Sequence, residues 1–235
     1  MTAGAETAAA SRPQGPSVLD RLSALDTCAV SDALDHLGIP GATTGIRPMW
    51  GRPKIVGRAR TVEVADVAAA GDVRGRHIAT RAVAGGGPDD VIVIANQGRT
   101  SVSCWGDILT AAAQQRGIRG VVIDGACRDV DAIADAGFPV YARAGVPITA
   151  RGRIAERAAD VPVSFAGVRV RPGDLVIADA SGVVIVPADR AEEVLAAAER
   201  LERRQRAMLA AVREGRSVID VMHDSSFTSA LAGES

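Results

Sequence analysis

The segment from Pro88 to Ala142 constrains the fold more than any other part of the chain. Val91–Ala95 is short, apolar and mostly β-branched. That is the pattern of a strand covered on both faces in a parallel sheet. Gly120–Asp124 (GVVID) repeats it, and Phe138–Ala142 (FPVYA) gives a third run. Between the first two runs, Ile108, Leu109, Ala112 and Ala113 share one helical face that closes at Gly117. Between the second and third, a short helix over Asp129–Ala136 turns Val130, Ile133 and Ala134 inward and stops at Gly137. The order β-α-β-α-β is the grammar of an α/β fold, with parallel strands joined by helical crossovers.

Around this core the pattern is more mixed. Residues 1–17 are rich in small residues, Gly and Pro and read as a disordered N-terminal tail. Leu19, Leu22 and Leu25 mark a first helix, and Val30, Ala33, Leu34 and Leu37 a second that ends at Gly38. Residues 39–53 read as a long loop, Ile55–Val64 as a strand, Gly71–Ala84 as a helix and Asn96–Gly106 as a loop. Gly125–Arg128 reads as a tight connection. Alternation at Val161, Val163 and Phe165, then turns at Pro172-Gly173-Asp174 and Ser181-Gly182, predict a β-rich region. A long helix covers 188–214, and 217–235 is a C-terminal tail. Along that helix Val194, Ala198, Leu201, Gln205, Met208 and Val212 form a seam that suits packing on the parent domain and a subunit contact equally. No linker divides residues 18–216, so they form one domain.

Composition narrows the function. The 235 residues carry 27 basic and 28 acidic side chains, and aromatics make up 3%. A dedicated nucleic-acid binder has a strong basic excess and stacking aromatics, and this chain has neither. There is no apolar run long enough to span a membrane. Cys28, Cys104 and Cys127 are too few and scattered for a disulfide scaffold, and an odd count fits a reducing cytoplasm. His36, His77 and His223 lack metal-binding spacing and read as structural or solvated. Only one lysine, Lys54, is available for Schiff-base chemistry, and it lies in a loop-to-strand segment (GRPKIVG) far from the glycine loops.

In open α/β sheets, ligands bind beyond the carboxyl ends of the strands. Two loops leave such ends: Cys104-Trp105-Gly106-Asp107 and Asp124-Gly125-Ala126-Cys127-Arg128-Asp129. If their strands are neighbours, Asp107, Arg128 and Asp129 converge. The first-turn amides of Gly106, Asp107, Ile108 and Leu109 would make an anion site. Arg128 can grip a carboxylate with a bidentate fork, and Asp129 can hold a hard cation. The same residues also read as two helix N-caps and a structural ion pair. Trp105 suits either the pocket wall or the core, Asn96 suits substrate contact or an Asx turn, and Cys104 and Cys127 suit packing.

The run WGDILTAAAQQRGIRGVVIDGACRDVDAIADAGFPVYARAGVP (105–147) resembles the RraA-like family, which includes 4-hydroxy-4-methyl-2-oxoglutarate / 4-carboxy-4-hydroxy-2-oxoadipate aldolases and regulators of ribonuclease E activity. The similarity extends through VSDALDHLGIPG (30–41), GRARTV (57–62) and PGDLVIADASGVVIVP (172–187). It implies a single swivelling β/β/α domain with a parallel βαβαβ core, extra strands and a long C-terminal helix. It also implies roles. The amides of Gly106 to Leu109 would bind the keto-acid carboxylate, Arg128 would bind substrate and steady an enolate oxygen, and Asp129 would ligate Mg²⁺ or Mn²⁺. Asp107 would lie near the metal through water. An acidic residue of a neighbouring subunit would approach the metal. Glu199 and Glu202 are candidates, while the best-aligned position holds Gln205.

Three functions follow from the resemblance. The first is a metal-dependent lyase that releases pyruvate from a 4-hydroxy-2-oxo dicarboxylic or tricarboxylic acid and also decarboxylates oxaloacetate. The second is a protein-binding regulator of a ribonuclease. The third is a lyase on the same scaffold with another 2-oxo acid substrate. A homotrimer or homohexamer is implied in each case.

Overall fold

The structure is a computed structural model that describes residues 16–70 and 77–222. The chain opens with helices α1 (Val18–Ser23) and α2 (Thr27–His36), strand β1 (Arg47–Pro48) and the long β2 (Ile55–Asp66). Helix α3 (Thr80–Gly85) leads to β3 (Asp90–Ser103), α4 (Asp107–Gln115), β4 (Gly120–Cys127), α5 (Val130–Asp135), β5 (Val140–Ala142) and β6 (Ala144–Gly145). Then come β7 (Ile154–Ala159), β8 (Val163–Phe165), β9 (Val168–Val170), β10 (Leu175–Asp179), β11 (Gly182–Val186), α6 (Ala191–Arg213) and α7 (Val218–Val221). Residues 1–15 of the expected N-terminal tail, 71–76 of the helix expected from Gly71, and 223–235 of the C-terminal tail, with His223, lie outside the described residues.

Nine strands form one mixed sheet in the order β1-β5-β4-β3-β2-β10-β11, with β6 beside β4 and β7 beside β2. The four central strands β2, β3, β4 and β5 are parallel, β6 joins β4 in parallel, and the remaining pairs are antiparallel. The β3-α4-β4-α5-β5 unit is therefore the expected βαβαβ core. Every residue of β4 is buried, because both faces of the sheet are covered. On one face Ile92, Ile94, Val121 and Ile123 pack with Trp105, Ile133 and Phe138 from the α4–α5 side. On the other, Val91, Val93, Val122 and Tyr141 pack with Phe165 and Val170 of the β8–β9 hairpin. A third cluster joins Leu22 of α1 and Leu34 of α2 to Ile177, Val194 and Leu201. No helix among the described residues is long and apolar enough to cross a membrane.

Several boundaries differ from the sequence reading. The loop expected over Asn96–Gly106 is mostly strand: β3 runs on to Ser103, pairing Arg99 with Gly125 and Ser103 with Ala126 across two register shifts. Gln97 and Gly98 take positive φ (55° and 71°), so the chain bulges out and rejoins the sheet. Polar side chains tolerate that excursion, which is why the segment reads as a loop. Of the tight connection expected over Gly125–Arg128, Gly125 to Cys127 are likewise the end of β4. Strand β1 lies in the expected 39–53 loop, β7 carries no clear strand pattern in the sequence, a 3₁₀ turn over Ala188–Arg190 precedes α6, and α7 lies within the expected 217–235 tail.

The seam on α6 divides in two. Val194, Ala198 and Leu201 are buried in the parent domain, and Gln205 Nε2 donates to Asp32 Oδ2 on α2 at 3.1 Å. Burial raises the Asp32 carboxyl above its ordinary value. Farther along, Leu209 and Val212 are exposed, as are Val218, Ile219 and Met222 around α7. The Lys54 ammonium donates to the Ser23 and Leu25 carbonyls, both at 2.6 Å, and so ties β2's approach to the end of α1.

Candidate active site

Strands β3 and β4 are parallel neighbours, so the chain leaves both at the same end of the sheet. Two backbone bonds then lock the exits together. Cys104 N donates to Ala126 O and Arg128 N to Trp105 O, each at 2.9 Å. Trp105 anchors the first loop from below. It is buried, its ring stacks on Phe138 with centroids 6.2 Å apart, and its Nε1 donates to Thr110 Oγ1 at 2.9 Å. Core packing is therefore its main role, although one edge reaches the cleft.

Above that anchor, Gly106 stands at the N-cap of α4 with Asp107 as the first helical residue. A Cβ on Gly106 would lie 2.6 Å from Asp129 Oδ2 and 3.1 Å from Arg128 Cγ, so only glycine lets the two loops approach this closely. Asp129 adopts the left-handed conformation (φ 56°) without a local side-chain hydrogen bond to justify it as a cap of α5. For a non-glycine residue this backbone state is strained and characteristic of sites. Its carboxylate instead faces the α4 N-terminus: Oδ2 accepts from Asp107 N at 3.4 Å, and both oxygens accept from Arg128 Nε at 3.1 Å. Asp107 is exposed, and its Oδ1 accepts from the next amide, Ile108 N, at 2.7 Å. The N-cap reading thus fails for both aspartates in its ordinary form. The carboxylates sit where first-turn amides would otherwise meet an anion.

These residues border a cleft of about 500 Å³. Gly106, Asp107, Ile108, Leu109, Arg128 and Asp129 line it from the ends of β3 and β4. His77, Thr80, Thr149 and Arg151 also belong to its lining. A second depression lies across the Arg128–Asp129 ridge, bordered by Val130, Asp131, Gly145 and Pro147. His77 reads as structural or solvated in the sequence, and no motif links it to Thr149 or Arg151. Tertiary pairing places their segments: Ser103 donates to Ile148 O, and β7 pairs antiparallel with β2.

Other candidates fall elsewhere. Glu199 is held by Arg21 of α1, whose Nε and Nη2 donate at 2.7 and 3.1 Å, and Glu202 accepts from Arg206 at 2.7 Å. Asn96 is buried within β3, where its Oδ1 accepts from Arg99 at 2.8 Å. Cys104 and Cys127 are buried, and desolvation raises both thiols, Cys127 to about 11. Such thiols stay protonated and inert.

Among the described residues no three His, Cys, Asp or Glu side chains gather as a metal cage. A hard divalent cation does not require one. Mg²⁺ commonly takes one or two protein carboxylates and fills its shell with water and substrate oxygens. Asp129, strained and turned into the cleft with Asp107 beside it, fits that arrangement.

The family model described as RraA-like (Aldolase/RraA) matches residues 27–185. The chain belongs to the RraA-like family. It is 36% identical over 203 residues to a protein of Halalkalibacterium halodurans provisionally named a 4-hydroxy-4-methyl-2-oxoglutarate aldolase, covering 84% of this chain and 91% of that one. It is 34% identical over 180 residues to Legionella pneumophila protein DlpA, and spans 77% of its own length but only 29% of DlpA. Among solved structures, an uncharacterized protein from Pseudomonas syringae pv. tomato superposes with a TM-score of 0.78 at 34% identity, over 88% of this chain and 96% of that one. Streptomyces coelicolor RraAS2, described as an unusual member of the RNase ES inhibitor RraA protein family, matches with a TM-score of 0.73 at 27% identity, over 88% of this chain and all of RraAS2.

Proposed function

We propose that this RraA-like chain is a divalent-metal-dependent carbon–carbon lyase. It would cleave a 4-hydroxy-2-oxo dicarboxylic or tricarboxylic acid to pyruvate and a second keto acid, and decarboxylate oxaloacetate as a companion activity. The observation that carries the reading is the meeting of the α4 amides, Arg128 and a strained Asp129 in one cleft. The name of the Halalkalibacterium halodurans relative supports it.

The chemistry follows from where charge must go. Breaking the C3–C4 bond leaves the bonding electrons on the pyruvyl fragment, as an enolate. Stabilising them takes either a lysine iminium or an electrophilic cation. Lys54, the single lysine, is bonded to the Ser23 and Leu25 carbonyls and lies off the cleft. In this account the amides of Gly106 to Leu109 bind the C1 carboxylate, which takes the place of Asp129 Oδ2 at Asp107 N and of Asp107 Oδ1 at Ile108 N. Arg128 donates to the substrate and stays beside the oxygen on which negative charge develops, where preorganised charge acts most strongly. Asp129 would hold Mg²⁺ or Mn²⁺, with Asp107 beside it. When bound, the ion supplies Lewis-acid polarisation of the 2-oxo group. Asp107 positions the water that accepts the C4 hydroxyl proton and returns a proton to C3 of the pyruvate fragment.

The test is direct. With Mg²⁺ or Mn²⁺ the purified protein should release pyruvate from 4-hydroxy-4-methyl-2-oxoglutarate or oxaloacetate, and EDTA should stop it. Absence of metal-dependent turnover on both substrates contradicts the reading. A protein-binding regulator of a ribonuclease is the second reading, favoured by the likeness to RraAS2. Both readings take a cytoplasmic trimer or hexamer, for which the exposed Leu209, Val212, Ile219 and Met222 offer contact surface. Light scattering should give a multiple of the 24.1 kDa chain mass at micromolar concentration; a monomer there would contradict the assembly.

A further inference from the structure

We infer that Arg151, in the same cleft as Arg128, is the cation of a second carboxylate-binding point that reads the terminal carboxylate of the substrate. The inference rests on the 2-oxo acid reading above and adds the group that selects among such acids.

Three observations carry it. The first is the make-up of the cleft lining. Its two carboxylates among the described residues, Asp107 and Asp129, come from the loops that also supply Gly106 and Arg128, whereas Arg151 enters with His77, Thr80 and Thr149 from other segments of the chain. Those segments bring no aspartate or glutamate to the lining. The second is that Arg151 is exposed and has no carboxylate partner among the described residues, whereas Arg128 already faces Asp129. An unpaired guanidinium opening into a cleft is a ready fork for a carboxylate.

The third is that the segment carrying Arg151 is anchored, not loose. Ser103, the last residue of β3, donates from both N and Oγ to Ile148 O, at 2.9 and 2.7 Å. Arg151 N donates to Thr149 Oγ1 at 3.3 Å, and Arg153 donates to Thr149 O at 3.2 Å. The chain carrying Arg151 is therefore tied to the same strand end that leads into Gly106. The neighbouring stretch is fixed from beneath. Glu156 is fully buried on β7, and its carboxylate accepts from Ala79 N at 2.9 Å and Arg81 Nε at 2.6 Å. That grip holds Ala79 in the left-handed conformation (φ 64°), between His77 and Thr80. Arg81 neutralises Glu156, so its charge does not oppose an anion in the cleft.

The cleft lining thus offers two anion points. The α4 amides and Arg128 take the carboxylate next to the 2-oxo group, and Arg151 takes the one at the far end. A cleft of about 500 Å³ accommodates such a molecule between them.

Calorimetric binding of two unreactive acids tests this. 2-Oxoglutarate carries the distal carboxylate and 2-oxobutyrate does not. Wild type in Mg²⁺ should bind 2-oxoglutarate about tenfold or more tightly than 2-oxobutyrate, the size of one charge-assisted hydrogen-bonded pair. Arg151→Gln should abolish that preference and leave 2-oxobutyrate binding and the melting temperature unchanged. In turnover it should raise KM for 4-hydroxy-4-methyl-2-oxoglutarate with little change in kcat. A preference that survives Arg151→Gln, or no preference in wild type, overturns the inference while the 2-oxo acid reading stands. Binding of neither acid overturns both.

Discussion

At the scale of single residues, the site depends on Gly106. Its neighbours Asp129 Oδ2 and Arg128 Cγ stand where a side chain would begin, at 2.6 and 3.1 Å from an added Cβ. Its φ of −161° is ordinary extended backbone, so alanine there meets a steric problem and no conformational one. Gly106→Ala should displace the Asp129 carboxylate from the α4 N-terminus. We expect a loss of turnover of at least about tenfold, since small misplacements of reacting groups have effects of that order or larger. Melting should change little, because the residue is not in the core. Wild-type kinetics in Gly106→Ala would show that the close approach is incidental. Asp129 teaches a related point. Next to a helix, the sequence presents it as a cap, and only its left-handed backbone and its bonds to Arg128 and Asp107 reveal a different task.

At the scale of elements, the parallel core was legible because its strands are short apolar runs separated by helices of clear periodicity. What was not legible is where β3 ends. Asn96, Gln97, Gly98 and Arg99 look like a loop, yet the bulge keeps them in the sheet and shortens the true loop to Cys104–Gly106. The Arg151 wall was illegible for another reason: tertiary pairing of distant segments leaves no local pattern. The long helix α6 shows how elements are tied together. Arg21 of α1 grips Glu199, and that hydrogen-bonded partner holds the Glu199 carboxyl below its ordinary value. A depressed folded pKa means that this stabilisation is complete above the unfolded value, about 4.3, and is lost as pH falls through the lower folded value. Being partly exposed, the pair contributes no more than about 1 kcal/mol. The melting temperature of wild type should therefore exceed that of Glu199→Gln at neutral pH and converge on it in acid. A gap that persists undiminished at about pH 2, below the usual carboxylate range, would assign the effect to packing.

At the scale of the whole molecule, three layers place one cleft. Helices α4 and α5 cover one face of the sheet, the β8–β9 hairpin covers the other, and α1, α2 and α6 close the β10–β11 side. The carboxyl ends of β3 and β4 are left open toward the cleft, as the topology of parallel sheets favours. Membership of the RraA-like family fits that architecture, but a shared fold does not fix an activity. The chemistry has to come from Gly106, Asp107, Arg128 and Asp129, and the single lysine stands apart from them. The most direct test of the central proposal strips the protein with EDTA and then restores Mg²⁺ or Mn²⁺, with pyruvate release from 4-hydroxy-4-methyl-2-oxoglutarate measured for wild type and Asp129→Ala. The account predicts that the metal restores turnover in wild type and fails to do so in a folded Asp129→Ala. Turnover by the stripped wild type, or metal-restored turnover at the wild-type rate in Asp129→Ala, would contradict it.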